Sequence, residues 1–272
     1  MSFRRSWPRA RILLALVHRD FSVSRSYRAS FVLEVVYGSA EILLFFFISR
    51  TFKSVTTANL HGAPSYFAFA AVGIAVTVVL SATTTALAGN VRNEQLTGTL
   101  EALVVQPITG AELALGLAAY SFVEATVKAA FYITVPAVLL GVDLGDASWI
   151  GFVVMLLATG LALTSIGILI GAAAVVLKST ALLAGIVALG LGLVSGAFYP
   201  ISVLPDWVAA IGRVMPTRFA YDGLRAALYT GGGWAHSALA LAAIAVASLP
   251  VAIWCFERAI QLSRRSGSLG QY

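Results

Sequence analysis

At 272 residues, with 59% hydrophobic and only 11% charged side chains and a mean hydropathy of +0.90, the chain is too apolar for a soluble domain, in which about 25% of residues are charged. At about 20 residues per bilayer crossing there is room for about six helices and no sizeable soluble domain. Any soluble chemistry or energy source the protein depends on must therefore come from another chain. The net charge of +6 and the single cysteine, Cys255, add that basic groups outnumber acids and that no internal disulfide can form.

The chain begins with a basic segment that is not expected to be a cleaved signal peptide. Its apolar run, Ile12 to Val17, is short and is followed by His18, Arg19 and Asp20 before any small-residue cleavage site. On a helical wheel of residues 10–25, Leu13, Leu14, Leu16, Val17 and Phe21 fall on one arc, with Arg11, His18, Ser22 and Arg25 opposite. That pattern predicts an amphipathic elbow helix lying in the inner membrane interface, within residues 1–30. Asp20 is the misfit on the apolar arc, and a disordered basic tail is the alternative.

Six apolar stretches follow, at about Phe31 to Phe52, Ser65 to Gly89, Leu113 to Gly141, Trp149 to Leu177, Ala181 to Tyr199 and Ser237 to Glu257. Each can satisfy its backbone in hydrocarbon only as a helix. The expected fold class is therefore all-α, a polytopic membrane protein with six transmembrane helices in residues 31–272. With the N-terminus inside, the inner segments hold twelve basic residues: Arg4, Arg5, Arg9, Arg11, Arg19, Arg25, Arg28, Arg92, Lys178, Arg258, Arg264 and Arg265. The outer segments hold five: Arg50, Lys53, Arg213, Arg218 and Arg225. That asymmetry places both termini in the cytoplasm.

Between the second and third stretches lies a polar island, Asn90 to Pro107, reading NVRNEQLTGTLEALVVQP. Gly98 can cap a short helix with Glu101 three residues on, a weak relative of the capping box. Leu100, Leu103 and Val104 then share a face, and Pro107 ends the run. The residues alone leave two readings, a rigid lever on two spans or a solvated connecting turn. Ahead of the last span, Pro200 to Trp234 is too polar to cross, and Pro200, Pro205 and Pro216 divide it into short helices. Its apolar positions suit an external hairpin re-entering the outer leaflet; an ordinary surface loop is the alternative.

Charges inside spans cost about 2.5–3.5 kcal/mol each even on lenient insertion scales, so they must face protein or water. Glu124 and Lys128, four apart, can pair on their own helix. Glu34 lies near the inner interface. Glu41 lies nearer mid-span with no partner in its own helix, and is the sharper candidate for a pathway role. Phe45, Phe46 and Phe47, with Phe198, Tyr199 and Trp207, fit an outer aromatic belt. Gly185, Gly190, Gly192 and Gly196 permit close helix approach.

Catalytic chemistry finds no support. A nucleotide-binding loop would need a glycine where Val176 and Leu177 precede Lys178-Ser179-Thr180. His18, His61 and His236 are scattered at span margins, with no paired aspartates or metal-ligand cluster. No inverted repeat with broken helices points to an ion-driven carrier, which stays a runner-up of a different class.

The string Arg92-x-Glu94-x3-Gly98-Thr99-Leu100-Glu101-x-Leu103-x3-Pro107 resembles the cytoplasmic loop between the second and third spans of ABC type-2 transporter permeases. Gly196-x-Phe198-Tyr199-Pro200-x3-Leu204-Pro205-x-Trp207, followed by Pro216 and Arg225, is similar to that family's external hairpin. Arg19-Asp20-Phe21 with Ser26-Tyr27-Arg28 resembles its entry into the first span. The likeness runs from about residue 15 to the C-terminus. It implies an exporter permease in a bacterial inner membrane, acting as a homodimer in lipid, with the seam in part along the fifth span. Arg92 to Pro107 would be its contact with two copies of a separate ATP-binding subunit. ATP and magnesium would be held by that partner, with no cofactor, metal or nucleic acid bound by this chain. An amphiphilic cargo (drug, lipid or lipid-linked glycan) is expected, with polysaccharide or cell-wall polymer as the alternative.

Overall fold

The computed structural model describes residues 9–26, 28–51, 60, 62–106, 108–177 and 181–265. Arg4, Arg5, Tyr27, Phe52, Lys53, His61, Pro107, Lys178, Ser179 and Thr180 lie outside them. Helix makes up 86% of the structure. In chain order the helices are α1 (Arg9–Ser26), α2 (Arg28–Thr51), α3 (Tyr66–Ser81), α4 (Leu87–Leu96), α5 (Thr99–Val105), α6 (Gly110–Leu140), α7 (Trp149–Val176), α8 (Ala181–Val194), α9 (Asp206–Val214), α10 (Pro216–Tyr229) and α11 (Trp234–Arg265). A π turn, Ala82–Ala86, joins α3 to α4 without a break.

Four of these bodies are long and apolar enough to cross a membrane: Tyr66–Leu96, Gly110–Leu140, Trp149–Val176 and Trp234–Arg264. Polar side chains start them where the sequence supplies them. Ser65 accepts from the Ala68 amide, Thr109 and Glu112 form a reciprocal capping box, and Ser148 accepts from the Gly151 amide, each satisfying donors that a helix start leaves open. The other two expected spans differ in kind. α2 has 24 residues, whereas α8 has only 14, about 21 Å at 1.5 Å per residue. α8 ends short of the expected Tyr199 because the chain turns at Gly196, with φ +81, a conformation that costs a side-chain-bearing residue more than glycine.

The second span is longer than expected, and Asn90–Leu96 is helix rather than loop. Leu87, Val91 and Gln95 recur every four residues and are all buried, while no glycine or proline falls between Gly89 and Gly98. Polar composition had concealed an amphipathic continuation. In the π turn, the Thr83 hydroxyl donates to the Val79 and Leu80 carbonyls and Thr84 to the Leu80 carbonyl, so acceptors freed by the irregular turn keep partners. Thr83 also brings its carbonyl against α7: a Cβ on Gly167 would lie 1.7 Å from that oxygen.

α7 is the central helix, packed along α11 and against α10, α6 and α4. One apolar core, around Val76, Met155, Leu163, Tyr221 and Leu224, lies toward the α10 end. Another, around Leu87, Val91, Leu100, Leu117 and Phe256, lies toward α5. The three prolines divide the segment before α11 as expected: Pro200 precedes a 3₁₀ turn, Pro205 precedes α9, and Pro216 opens α10.

Candidate functional site

The residues singled out in the polar island converge at one end of the bundle. Gly98 is the cap of α5 at φ +71, without a side-chain cap bond; a left-handed residue there lets the chain reverse from α4 into α5. The turn is closed by hydroxyls. Thr97 donates to the Asn93 carbonyl at 2.8 Å, and Thr99 donates to the Glu94 carboxylate.

Two site residues face inward. Leu100 is fully buried and Leu103 nearly so, within the core that includes Leu113, Leu117 and Phe256. These leucines hold α5 to its own chain. The other face of α5 carries Thr99, Ala102 and Val105, all exposed, with Val105 at 85%. Glu101 belongs to the same helix, and Arg92 to the last turns of α4.

Glu94 is turned toward α1. Its carboxylate lies 2.8 Å from Arg19, which also bonds Asp20 at 2.8 Å. Asp20, the misfit on the apolar arc, thus has a partner, although burial raises its carboxyl above the usual range against the pull of Arg19. The arc itself is divided: Leu16 is buried against α6, where a Cβ on Gly116 would touch it at 2.1 Å. Leu14 and Phe21 stay exposed. The short helix is thereby part of a cluster with α1, α4 and the start of α6.

Two supports were not anticipated. Gln95 is buried and donates to the Val175 carbonyl at 3.2 Å, and Ser263 donates to the same oxygen at 3.2 Å, tying α4, α7 and α11 together. Glu257 of α11 accepts from the Ala111 amide at 3.0 Å, beside a cavity of about 260 Å³ lined by Ile108, Gly110, Gln261 and Arg264. The spacing of Val91 and Gln95 could have revealed the first; nothing in the local sequence signals the second.

Among the intramembrane charges, Glu124 and Lys128 pair at 2.6 Å on α6, as their spacing predicts. Glu41 is half-buried on α2 and is brought into neither this pair nor the α5 cluster.

The residues after α8 gather at the opposite end. Phe198 stacks on Phe45 with centroids 4.8 Å apart, and Tyr199 donates to the Leu193 carbonyl at 2.7 Å. Trp207 is 71% exposed. Arg225, counted from sequence among water-facing loop charges, is instead completely buried, because α10 packs against α3, α7 and α11. Arg218 pairs with Asp222 at 2.7 Å.

A search of curated proteins gives no match. The family profile described as ABC-2 type transporter matches residues 11–229, from α1 through α10, and so includes both helical clusters. That family supplies the transport subunit and works with a separate ABC ATP-binding subunit. The chain belongs to the ABC-2 type transporter family, as a multi-pass membrane permease subunit.

Proposed function

We propose that this permease is the membrane half of an ATP-driven exporter of amphiphilic compounds, with α5 as the element through which an ATP-binding subunit acts. The observation that carries the reading is the two-sided character of α5. Leu100 and Leu103 weld it to the bundle, while Thr99, Ala102 and Val105 present an outward face. Directly upstream is the 31-residue helix Tyr66–Leu96, and directly downstream the 31-residue α6. A push on that face is delivered to two bilayer-length bodies. Moving a population from 1:99 to 99:1 takes about 5.5 kcal/mol of differential binding, which an ATP-driven change in a partner's cleft can supply.

In this reading α2 and α8 complete six spans, both termini lie in the cytoplasm of a bacterial cell, and α9–α10 form a hairpin dipping into the outer leaflet. The burial of Arg225 removes one charge from the outer count and widens the basic asymmetry that supports this orientation. Two copies of the permease pair along α8, where Leu182, Ile186 and Leu189 are exposed, and two ATP-binding subunits hold ATP and magnesium beneath them. Few charges within the spans favour an amphiphilic cargo over a small multivalent ion. Glu41 is the candidate pathway residue, so Glu41→Gln should lower transport without lowering yield or assembly.

The test is co-purification with an ATP-binding subunit, combined with Gly98→Pro. Proline cannot adopt φ +71, so this variant should insert in the membrane yet lose the partner and nucleotide-driven transport. Transport by the permease alone, or full activity of Gly98→Pro, would overturn the proposal.

A further inference from the structure

Arg225 lies at the end of the long helix Tyr66–Leu96 remote from α5. Its guanidinium donates to the carbonyls of Phe69 at 3.2 Å, Gly196 at 3.3 Å and Ala197 at 2.9 Å, and its central carbon lies 3.4 Å from the centre of the Phe69 ring. A charge removed from water needs this density of acceptors. Burial lowers it only to about 10, which leaves it protonated at neutral pH.

The contacts around it repeat one pattern, α3 held by the segment that follows α8. Tyr66 donates to the Phe198 carbonyl at 3.0 Å and Tyr229 to the Ala68 carbonyl at 2.8 Å. The Ala197 carbonyl sits where a Cβ on Gly73 would fall 2.1 Å away. α10, which carries Arg225 and Tyr229, packs in turn on α7 and α11. The first turns of α3 are therefore bonded to the most heavily packed part of the bundle, whereas the other end of the same helix carries α5.

We propose that Arg225 is a positioning residue that makes the α3 end of the long helix a fulcrum, so that a displacement applied at α5 becomes a tilt about that point instead of a slide of the whole helix. Burial of polar groups with specific directional partners suits this, because a sliding helix would have to break the Phe69 bond to Arg225 together with the Tyr66–Phe198 and Tyr229–Ala68 bonds. The π turn does not interrupt the lever, since Thr83 and Thr84 staple it to the preceding turn. The inference rests on the reading of α5 as the element pushed by the ATP-binding subunit.

The test uses the full permease assembled with its ATP-binding subunit in lipid, with the one native cysteine replaced (Cys255→Ser) and doubly spin-labelled protomers diluted with unlabelled ones. One pair, Pro64→Cys with Leu239→Cys, reports the α3 end against the start of α11. The other, Asn93→Cys with Leu262→Cys, reports the α5 end against the end of α11; all four positions are exposed. Between nucleotide-free and vanadate-trapped ATP states, the Asn93–Leu262 distance should shift while the Pro64–Leu239 distance stays fixed. Arg225→Met should let the Pro64–Leu239 distance shift or broaden with nucleotide, and Arg225→Lys should restore part of the fixed distance.

Comparable shifts in both pairs of the otherwise native complex overturn the fulcrum and leave the α5 reading standing. No shift in either pair overturns both. An Arg225→Met complex whose Pro64–Leu239 distance stays as sharp and fixed as the native one also overturns the role of Arg225. Should that variant fail to assemble, Arg225→Lys carries the test, since one ammonium cannot make the same set of carbonyl bonds: a Pro64–Leu239 distance broader than the native one supports the role of Arg225, and one as sharp and fixed as the native one overturns it.

Discussion

Leu100 and Glu94 show how one short segment divides its residues between holding and presenting. Leu100 is fully buried, so Leu100→Ala should cost about 2–5 kcal/mol, read as a lowered melting temperature of the purified permease in detergent. Val105→Ala, on a side chain 85% exposed, should leave that temperature unchanged and weaken association with the ATP-binding subunit. Glu94 and Arg19 form a partly exposed pair, for which a double-mutant cycle with alanine should give a coupling of about 1 kcal/mol. Asp20 behaves oppositely. Its folded carboxyl is raised by burial, so the stabilising form is the protonated one, its contribution is lost as pH rises through the folded value, and ionised Asp20 opposes packing at neutral pH. Asp20→Asn should therefore leave the unfolding temperature at pH 7 equal or higher, and flatten its fall as pH rises from acid.

At the scale of elements, periodicity carried most of the information and composition misled at the edges. The apolar stretches, the proline-divided segment before α11 and the Gly98 cap were all legible, because each rests on a local rule of hydrophobic spacing or backbone sterics. The continuation of helix through Asn90–Leu96 was not, since its polar residues outweigh the buried stripe of Leu87, Val91 and Gln95. The early stop of α8 was equally hidden, because Ser195, Gly196 and Ala197 bring neither a charge nor a proline to mark an end and the left-handed φ at Gly196 ends it. Helix packing adds a check that sequence could not foresee. Gly167→Ala places a methyl 1.7 Å from the Thr83 carbonyl, and such overpacking typically costs about 1–3 kcal/mol. It should lower the unfolding temperature of the monomeric permease. Gly185→Ala, whose Cβ would meet no atom of the described residues within 4 Å beyond its own helix backbone, should not; if α8 forms the seam between copies, it should instead reduce the dimer fraction measured by light scattering in detergent.

The whole molecule is a bundle with two specialised ends joined by the helix Tyr66–Leu96. One end gathers α1, α4, α5 and the start of α6 around buried leucines and the Arg19–Glu94 pair. The other gathers α3, α10 and the turn after α8 around Arg225. The first cluster was largely legible because its motif is contiguous. The second was only half legible: Arg225 stood out as a pattern residue, but its burial depends on Phe69, Gly196 and Ala197, which no local rule brings together. In the proposed reading, such a permease is driven from one end and held at the other.

The most direct measurement is thiol labelling of Val105→Cys, in the Cys255→Ser background, from each side of sealed membrane vesicles with and without the ATP-binding subunit. The account predicts labelling by an impermeant reagent from the cytoplasmic side alone, and protection when the ATP-binding subunit is bound. Labelling from the outer side, or labelling that is indifferent to the partner, would contradict it.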